Sequence, residues 1–485
     1  MTSIPTSAVG RDEDAPAVTR ASGARGGQLF GLPTATALVI GSVIGTGVFA
    51  LPSALAPYGP ISLVAFVLVT VGAIALALVF KSLNRRVPGS GGPYLYARDA
   101  FGDFAGFLNA WSYWITAWAG NAAIVVAWVG YVEVFWNSSG AKTWSIIIAL
   151  TGLWIPAVIN LAGIRSMAIF QVAFTVLKFI PLVFMATVGL IFVKSANFGA
   201  FNASGGSAMG AISAAGAIAL FSYLGIETAA VAAGRVRDPE RNVGRATVWG
   251  TLACAAVYIL GTITVFGTVA HSRLLTSTAP FTDSANEIFG GRWAGNAVAV
   301  AAIISGFGCL IGWTLIVAEM PQAAARDGLF PTPFARESRR GVPALGIVVG
   351  TLLASGLTVI SYSSFDKVFT TVVLLSVVTA VIPYLFSAAA QGYWLITEGR
   401  RVSVAHFLRD LVISVVALVF SFWALAGSGY QAVYYGMFCI FLGVPVYIWL
   451  KSDRDEYGET PVVPVDLTGP APVAVAAAAS NGVIR

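Results

Sequence analysis

The sequence predicts an all-α membrane protein: twelve transmembrane helices, the first ten forming an inverted repeat of five plus five, with helices 1 and 6 broken in mid-membrane. Three observations predict it. Of 485 residues, 57% are hydrophobic and only 10% charged, against about 25% charged in a soluble globular protein. That apolar surface, with a mean hydropathy of +0.81, exceeds what an ordinary core hides, so the chain's solvent is mostly lipid. Twelve apolar stretches then follow one another, each near the roughly 20 residues that one spanning helix needs. Finally, glycine-containing weak points fall in the first and the sixth of these stretches.

In order, the spans are read at about 33–57, 60–80, 104–135, 143–161, 169–193, 209–234, 245–270, 292–324, 344–361, 367–392, 404–426 and 430–450. Barrel strands of about ten alternating residues do not fit this pattern. The first span holds Gly41, Gly45 and Gly47, and each glycine weakens a helix by roughly 1 kcal/mol relative to alanine. The third and eighth are long, as in tilted helices. The sixth contains Phe221-Ser222-Tyr223-Leu224-Gly225-Ile226-Glu227. Five spans separate the two weak points, and five is odd, so the second copy starts on the opposite side of the membrane. That is the signature of inverted repeats with paired discontinuous helices. Residues 33–193 form the first repeat, 209–392 the second, and 404–450 add two helices. The link after span two carries Pro88-Gly89-Ser90-Gly91-Gly92-Pro93, which cannot be one continuous helix; a turn and a short helix under the bundle are expected. The tails, 1–30 and 451–485, lack a core-forming pattern and read as disordered, and residues 1–30 do not read as a cleaved signal peptide.

With the N-terminus placed in the cytoplasm, 22 of the 28 Lys and Arg fall on inner segments and five on outer ones, while Lys178 lies within a span. The positive-inside rule then puts both termini in the cytoplasm of a multi-pass cell-membrane protein. It also explains the basic residues as orientation signals that touch anionic lipid, and nucleic acid is not an expected partner. The three cysteines, Cys254, Cys309 and Cys439, lie in spans and read as buried free thiols. No nucleotide-binding glycine motif or His-Glu-x-x-His is present, and His271 and His406 fall near opposite membrane faces. The chain reads as a non-enzyme with no cofactor and no metal.

An unwound turn in hydrocarbon survives only where it lines a protein cavity that uses its polar groups. At Val43, Ile44, Gly45, Thr46 and Gly47 such a turn offers N–H groups on one half-helix, which favour a carboxylate, and carbonyls on the other, which favour an ammonium. A zwitterionic amino acid presents both, and the Thr46 hydroxyl adds a donor. Gly41-x-x-x-Gly45 also reads as a small-residue packing motif. Glu227, deep in the sixth span, and Lys178, about nine residues or roughly 14 Å into the fifth, are ionisable groups of the kind that face a cavity or a partner in membranes.

The first-span segment resembles the Gly-x-x-x-Gly-Ser/Thr-Gly-x-Phe signature of the amino acid–polyamine–organocation (APC) transporters. Phe221 to Glu227 resembles that family's paired broken helix, and Arg235-Val-Arg-Asp-Pro-Glu-Arg-Asn-Val-Gly-Arg-Ala matches the stretch after it. Gly312-Trp313-Thr314-Leu315 and Ala323-Ala-Ala-Arg-Asp-Gly-Leu-Phe-Pro331 resemble the basic amino acid/polyamine antiporter branch, which includes the arginine/agmatine antiporter. The resemblance runs from about residue 30 to 450. It implies a LeuT-type fold and a set of roles. Thr46 and Gly47 would hold the substrate carboxylate. The carbonyls of Val43, Phe221 and Leu224, beside Ser222, would accept from the ammonium. Thr116, Ala117, Asn121 and Trp313 would surround the side chain. Phe221 stands where that antiporter has tryptophan, which binds a cation better. Glu227 matches a glutamate implicated in proton sensing. Lys178 resembles the lysine that takes the sodium position in proton-coupled members.

The expected function is sodium-independent secondary transport of amino acids by alternating access, through exchange or proton coupling, with cationic amino acids among the substrates. Polyamine or amine antiport and a non-transporting amino acid sensor are the alternatives. The expected partners are the small substrate, protons and the lipid bilayer, and a homodimer is an expected assembly.

Overall fold

The computed structural model describes residues 31–45, 47–87, 92–163, 179–227, 236–364, 367–398 and 403–452. Every regular element among them is helical. We label α1 (Leu32–Val43), α2 (Gly47–Leu55), α3 (Ile61–Arg86), α4 (Pro93–Phe101), α5 (Asp103–Val132), α6 (Lys142–Leu161) and α7 (Ala208–Leu220). The second half holds α8 (Pro239–Thr268), α9 (Pro280–Phe289), α10 (Arg292–Arg326), α11 (Ala344–Ser364), α12 (Val368–Glu398), α13 (Val404–Gly427), α14 (Gly429–Phe441) and α15 (Gly443–Ser452). Among the described residues nine helices are long and apolar enough to cross a membrane, and ten if the bent pair Leu32–Val43 and Gly47–Tyr58 counts as one span. The predicted fifth span and the end of the sixth include residues outside the described set.

The helices start and stop where local chemistry dictates. Proline opens α4, α8 and α9, where its missing N–H removes no helical bond. The Ser207 hydroxyl accepts from the Gly210 N–H and caps α7. α10 runs for 35 residues, about 52 Å at 1.5 Å each, well past the roughly 30 Å hydrocarbon core.

α5 is the central post, buried on almost every face by α4, α6, α10, α11 and α12. α1 packs on α8, α8 on α3, and α13 bridges α12 to α3 and α7. Rings of α13 occupy slots left by missing side chains: Phe420 lies against Gly72 and Trp423 against Gly216, with the Trp423 indole N–H donating to Ser213 Oγ at 3.0 Å. Hydroxyls inside the bundle bond back one turn, as from Thr247 to the Val243 carbonyl, Thr358 to Ala354 and Ser421 to Ala417. Backbone acceptors satisfy them without water, as hydrocarbon demands.

The connection after α3 yields the expected short helix, α4, while Pro88–Gly91 lies outside the described residues. Three contacts anchor α4 and the helix end beside it. The Tyr94 hydroxyl donates to Asp327 Oδ2 at 2.8 Å, Arg98 Nε pairs with Asp103 Oδ1 at 2.8 Å, and Lys451 Nζ lies 3.4 Å from Asp103 Oδ2. Burial, then the neighbouring Asp327 carboxylate, push the Tyr94 phenol above its ordinary range, so it stays a donor at all physiological pH.

Candidate functional site

α1 ends at Val43. Ile44 turns out of the helix, with φ −80° and ψ 91°, while its N–H still donates to the Ile40 carbonyl at 2.9 Å. Gly45 N–H bonds the Val43 carbonyl at 3.0 Å, Val48 N–H reaches the Gly45 carbonyl at 3.4 Å, and α2 restarts at Gly47. The axes of the two pieces differ by 49°. Thr46 lies outside the described residues.

The sixth-span segment breaks by a different route. α7 tightens into a 3-10 turn at Phe221–Tyr223, and Leu224 is extended, with φ −62° and ψ 133°. Gly225 then takes φ +104°, a conformation that side-chain-bearing residues rarely adopt. Residues 228–235 lie outside the described set.

Missing side chains bring the breaks together. A Cβ on Gly225 would meet the Ser42 carbonyl carbon and oxygen at 3.1 Å, and one on Gly47 would be driven into the Phe221 ring. A Cβ on Gly45 would lie 3.0 Å from Cys309 Sγ of α10. The Trp313 indole N–H donates to the Ser42 carbonyl at 3.3 Å, tying α10 to the last turn of α1. Phe221 in turn rests edge-on against Phe369 of α12, with centroids 6.2 Å apart at 89°.

A cavity of about 20 Å³ lies between the breaks. It is narrow, with room for little more than one water. Of the residues singled out in the sequence, Val43, Gly45, Gly47, Thr116, Phe221, Ser222, Leu224 and Trp313 line it. Ile44, Ala117 and Asn121 do not, although all three are buried. The lining also includes Ser42, Val48, Gly120 and Ile124, which sequence reasoning missed. A signal for two of them was present: Thr116, Gly120 and Ile124 are spaced i, i+4, i+8 and form one stripe of α5. Asn121 sits on the adjoining stripe facing α10, where its Nδ2 lies 3.4 Å from Thr314 Oγ1. Its Oδ1 is buried and accepts no hydrogen bond within the described residues.

Among the described residues no charged side chain lines the cavity. Its polar groups are backbone atoms and the hydroxyls of Ser42, Thr116 and Ser222. Ser222 Oγ donates to the Ala219 carbonyl at 2.6 Å, and Thr116 Oγ1 contacts Thr379 Oγ1 at 2.9 Å. Ser376 Oγ donates to the Thr116 carbonyl at 3.1 Å and Ser112 Oγ to the Thr379 carbonyl at 2.7 Å, so α12 locks this face of α5.

Glu227 is buried beside the cavity and outside its lining. Its Oε1 accepts from the Tyr113 hydroxyl at 2.8 Å; its Oε2 accepts from the Tyr384 hydroxyl at 3.0 Å and the Gly225 N–H at 3.3 Å. One carboxylate thus joins the sixth-span break to α5 and α12. Lys178 lies outside the described residues.

A sequence model of the family described as amino acid permease matches residues 30–445. The chain belongs to this family. The permease is 30% identical over 429 residues to the putrescine transporter PotE of Haemophilus influenzae, covering 88% of this chain and 98% of that protein. It is 30% identical over 449 residues to the arginine/ornithine antiporter of Pseudomonas aeruginosa, covering 89% and 92%. It is 28% identical over 430 residues to the arginine/agmatine antiporter of Chlamydia pneumoniae, covering 85% and 88%. The matched span contains both breaks, Glu227 and Trp313, so the permease carries its cavity within the family region.

Proposed function

We propose that this permease is a sodium-independent secondary carrier that moves amino acids, cationic ones above all, across the cell membrane by alternating access. One observation carries the reading: two interrupted helices meet through Gly47, Phe221, Gly225 and Ser42 around a narrow cavity with no charged side chain among its described lining residues. Backbone groups at the breaks are then the means of gripping a charged cargo. The N–H groups at the start of α2 suit a carboxylate and the carbonyls at the end of α1 suit an ammonium. In this reading Thr46 joins Gly47 at the carboxylate, and the chain is a twelve-span, LeuT-type five-plus-five bundle with both termini cytoplasmic.

Two things support a cationic side chain. The relatives are named for putrescine, arginine, ornithine and agmatine. Phe221 and Trp313 line the cavity and offer ring faces, and a desolvated cation–π contact is worth about 2 kcal/mol. A polyamine is the second reading, favoured by the putrescine transporter's 98% coverage; it would leave the N–H groups of α2 without an anion. Exchange between cargo molecules, or proton coupling through Glu227 and Lys178, drives the cycle in this proposal.

Uptake of labelled arginine, ornithine, lysine, leucine and putrescine into proteoliposomes tests it, with empty against preloaded vesicles, with and without a pH gradient, and with choline replacing sodium. The proposal expects basic amino acids to compete at the lowest concentrations and choline to change nothing. Uptake of putrescine alone, unaffected by amino acids, would select the polyamine reading. Strict dependence on sodium would overturn the coupling. Lys178→Ala is expected to lose acceleration by ΔpH, and unchanged acceleration would retire its assigned role.

A further inference from the structure

Basic residues on one membrane face explain orientation in general, but the structure gathers four of them into a defined place. α3 and α8 pack along one another, and they run antiparallel, so the end of α3 lies beside the start of α8. Gly244 has no side chain, and the stem of Lys81 fills that space; a Cβ on Gly244 would be driven into Lys81 Cγ. Lys81 is thereby held against α8 beside Arg245, with Arg241 one turn away on the same flank. Arg85 continues the α3 side one turn beyond Lys81.

Several cations near helix ends are neutralised within the protein. Arg98, Arg273, Arg326, Arg409 and Lys451 each pair with a carboxylate. Lys81, Arg85, Arg241 and Arg245 form no ion pair among the described residues, and Asp238, just before α8, pairs with none of them. Arg85, Arg241 and Arg245 are exposed and Lys81 is half-buried. The N-terminus of the 30-residue α8 adds its own positive potential at the same spot.

We infer that Lys81, Arg85, Arg241 and Arg245 form a binding site for the phosphate of an anionic phospholipid. The surface next to them selects a lipid over a soluble phosphate. Arg241, Arg245 and Trp249 follow at i, i+4 and i+8, and Leu252 continues the line; Trp249 is 60% and Leu252 38% exposed. Charge at the helix end therefore passes, over about 6 Å per step, into an indole and then an aliphatic side chain. This matches the order of a phospholipid from headgroup through glycerol to acyl chain. The assignment does not depend on which cargo the permease carries.

The test is native mass spectrometry of the detergent-purified permease titrated with phosphatidylglycerol or phosphatidylcholine. Wild type is expected to retain phosphatidylglycerol at roughly tenfold lower concentration than phosphatidylcholine. Arg241→Gln with Arg245→Gln is expected to erase that preference. Arg241→Lys with Arg245→Lys is expected to keep most of it, and Arg336→Gln with Arg339→Gln, which removes equal charge elsewhere, all of it. Lys81→Gln with Arg85→Gln serves if the first pair does not yield a monodisperse protein. Equal retention of the two lipids by wild type would overturn the site, and so would a preference that survives either glutamine pair. Displacement of the lipid by millimolar glycerol phosphate would overturn its assignment to a lipid.

Discussion

The break in the first span and the break in the sixth lie against one another, yet they are built from different residues. The first is a short gap between Val43 and Gly47 whose described residues carry no charge, and its glycines serve by admitting neighbours: Cys309 at Gly45 and Phe221 at Gly47. The sixth has one glycine, Gly225 at φ +104°, flanked by an aromatic ring and by a carboxylate held by two tyrosines. The difference suggests a division of labour. Under the proposed function, the first break presents backbone to the cargo, and the sixth supplies an aromatic ring beside the cargo and a carboxyl group for proton coupling.

Substitutions at the two breaks should therefore fail in different ways. The largest effect is expected for Gly47→Val, which drives a branched side chain into Phe221. Overpacking of about 1–3 kcal/mol, placed where the cargo binds, should remove detectable uptake and binding by isothermal titration, while membrane insertion and gel-filtration profile persist. Gly225→Ala comes next. Forcing a side chain into that conformation costs about 1–3 kcal/mol and crowds Ser42, so both melting temperature and transport should fall, transport by roughly tenfold or more. For Glu227→Gln the expected change is in shape: removal of a titrating group should flatten the pH dependence of exchange while cargo KM stays within about twofold. An unaltered pH profile would assign Glu227 to structure alone. Trp313→Phe removes the bond to the Ser42 carbonyl, worth about 1 kcal/mol, so a KM rise of about fivefold is expected, larger for arginine than for leucine. The smallest effect is that of Ile124→Val, one methylene shorter at the cavity wall: KM should move by less than about threefold, in favour of bulkier side chains.

Much of this was legible in the chain. Twelve apolar stretches announced a membrane bundle because lipid leaves no alternative to long helices. The glycines at 41, 45 and 47 marked the first break, and Gly225 between Leu224 and Glu227 marked the sixth. Of the cavity, the residues at the breaks were found because glycine and polar neighbours advertise irregular backbone. Gly120 and Ile124 were missed because nothing in an apolar helix distinguishes the stripe that faces a cavity from the stripe that faces another helix. Asn121 shows the converse: its polarity drew attention, but its rotation on α5 turns it to Thr314.

The sequence by itself determined that the chain crosses a membrane many times and where two of its helices lose continuity, since hydropathy and backbone permissiveness are properties of short segments. Only the tertiary structure decided that Gly225 rests on Ser42, that Tyr113 and Tyr384 converge on Glu227 from helices far apart in the chain, and that Gly244 makes room for Lys81. Those are contacts between distant segments, fixed by which helix faces fit closely enough to exclude lipid, and no local pattern encodes them.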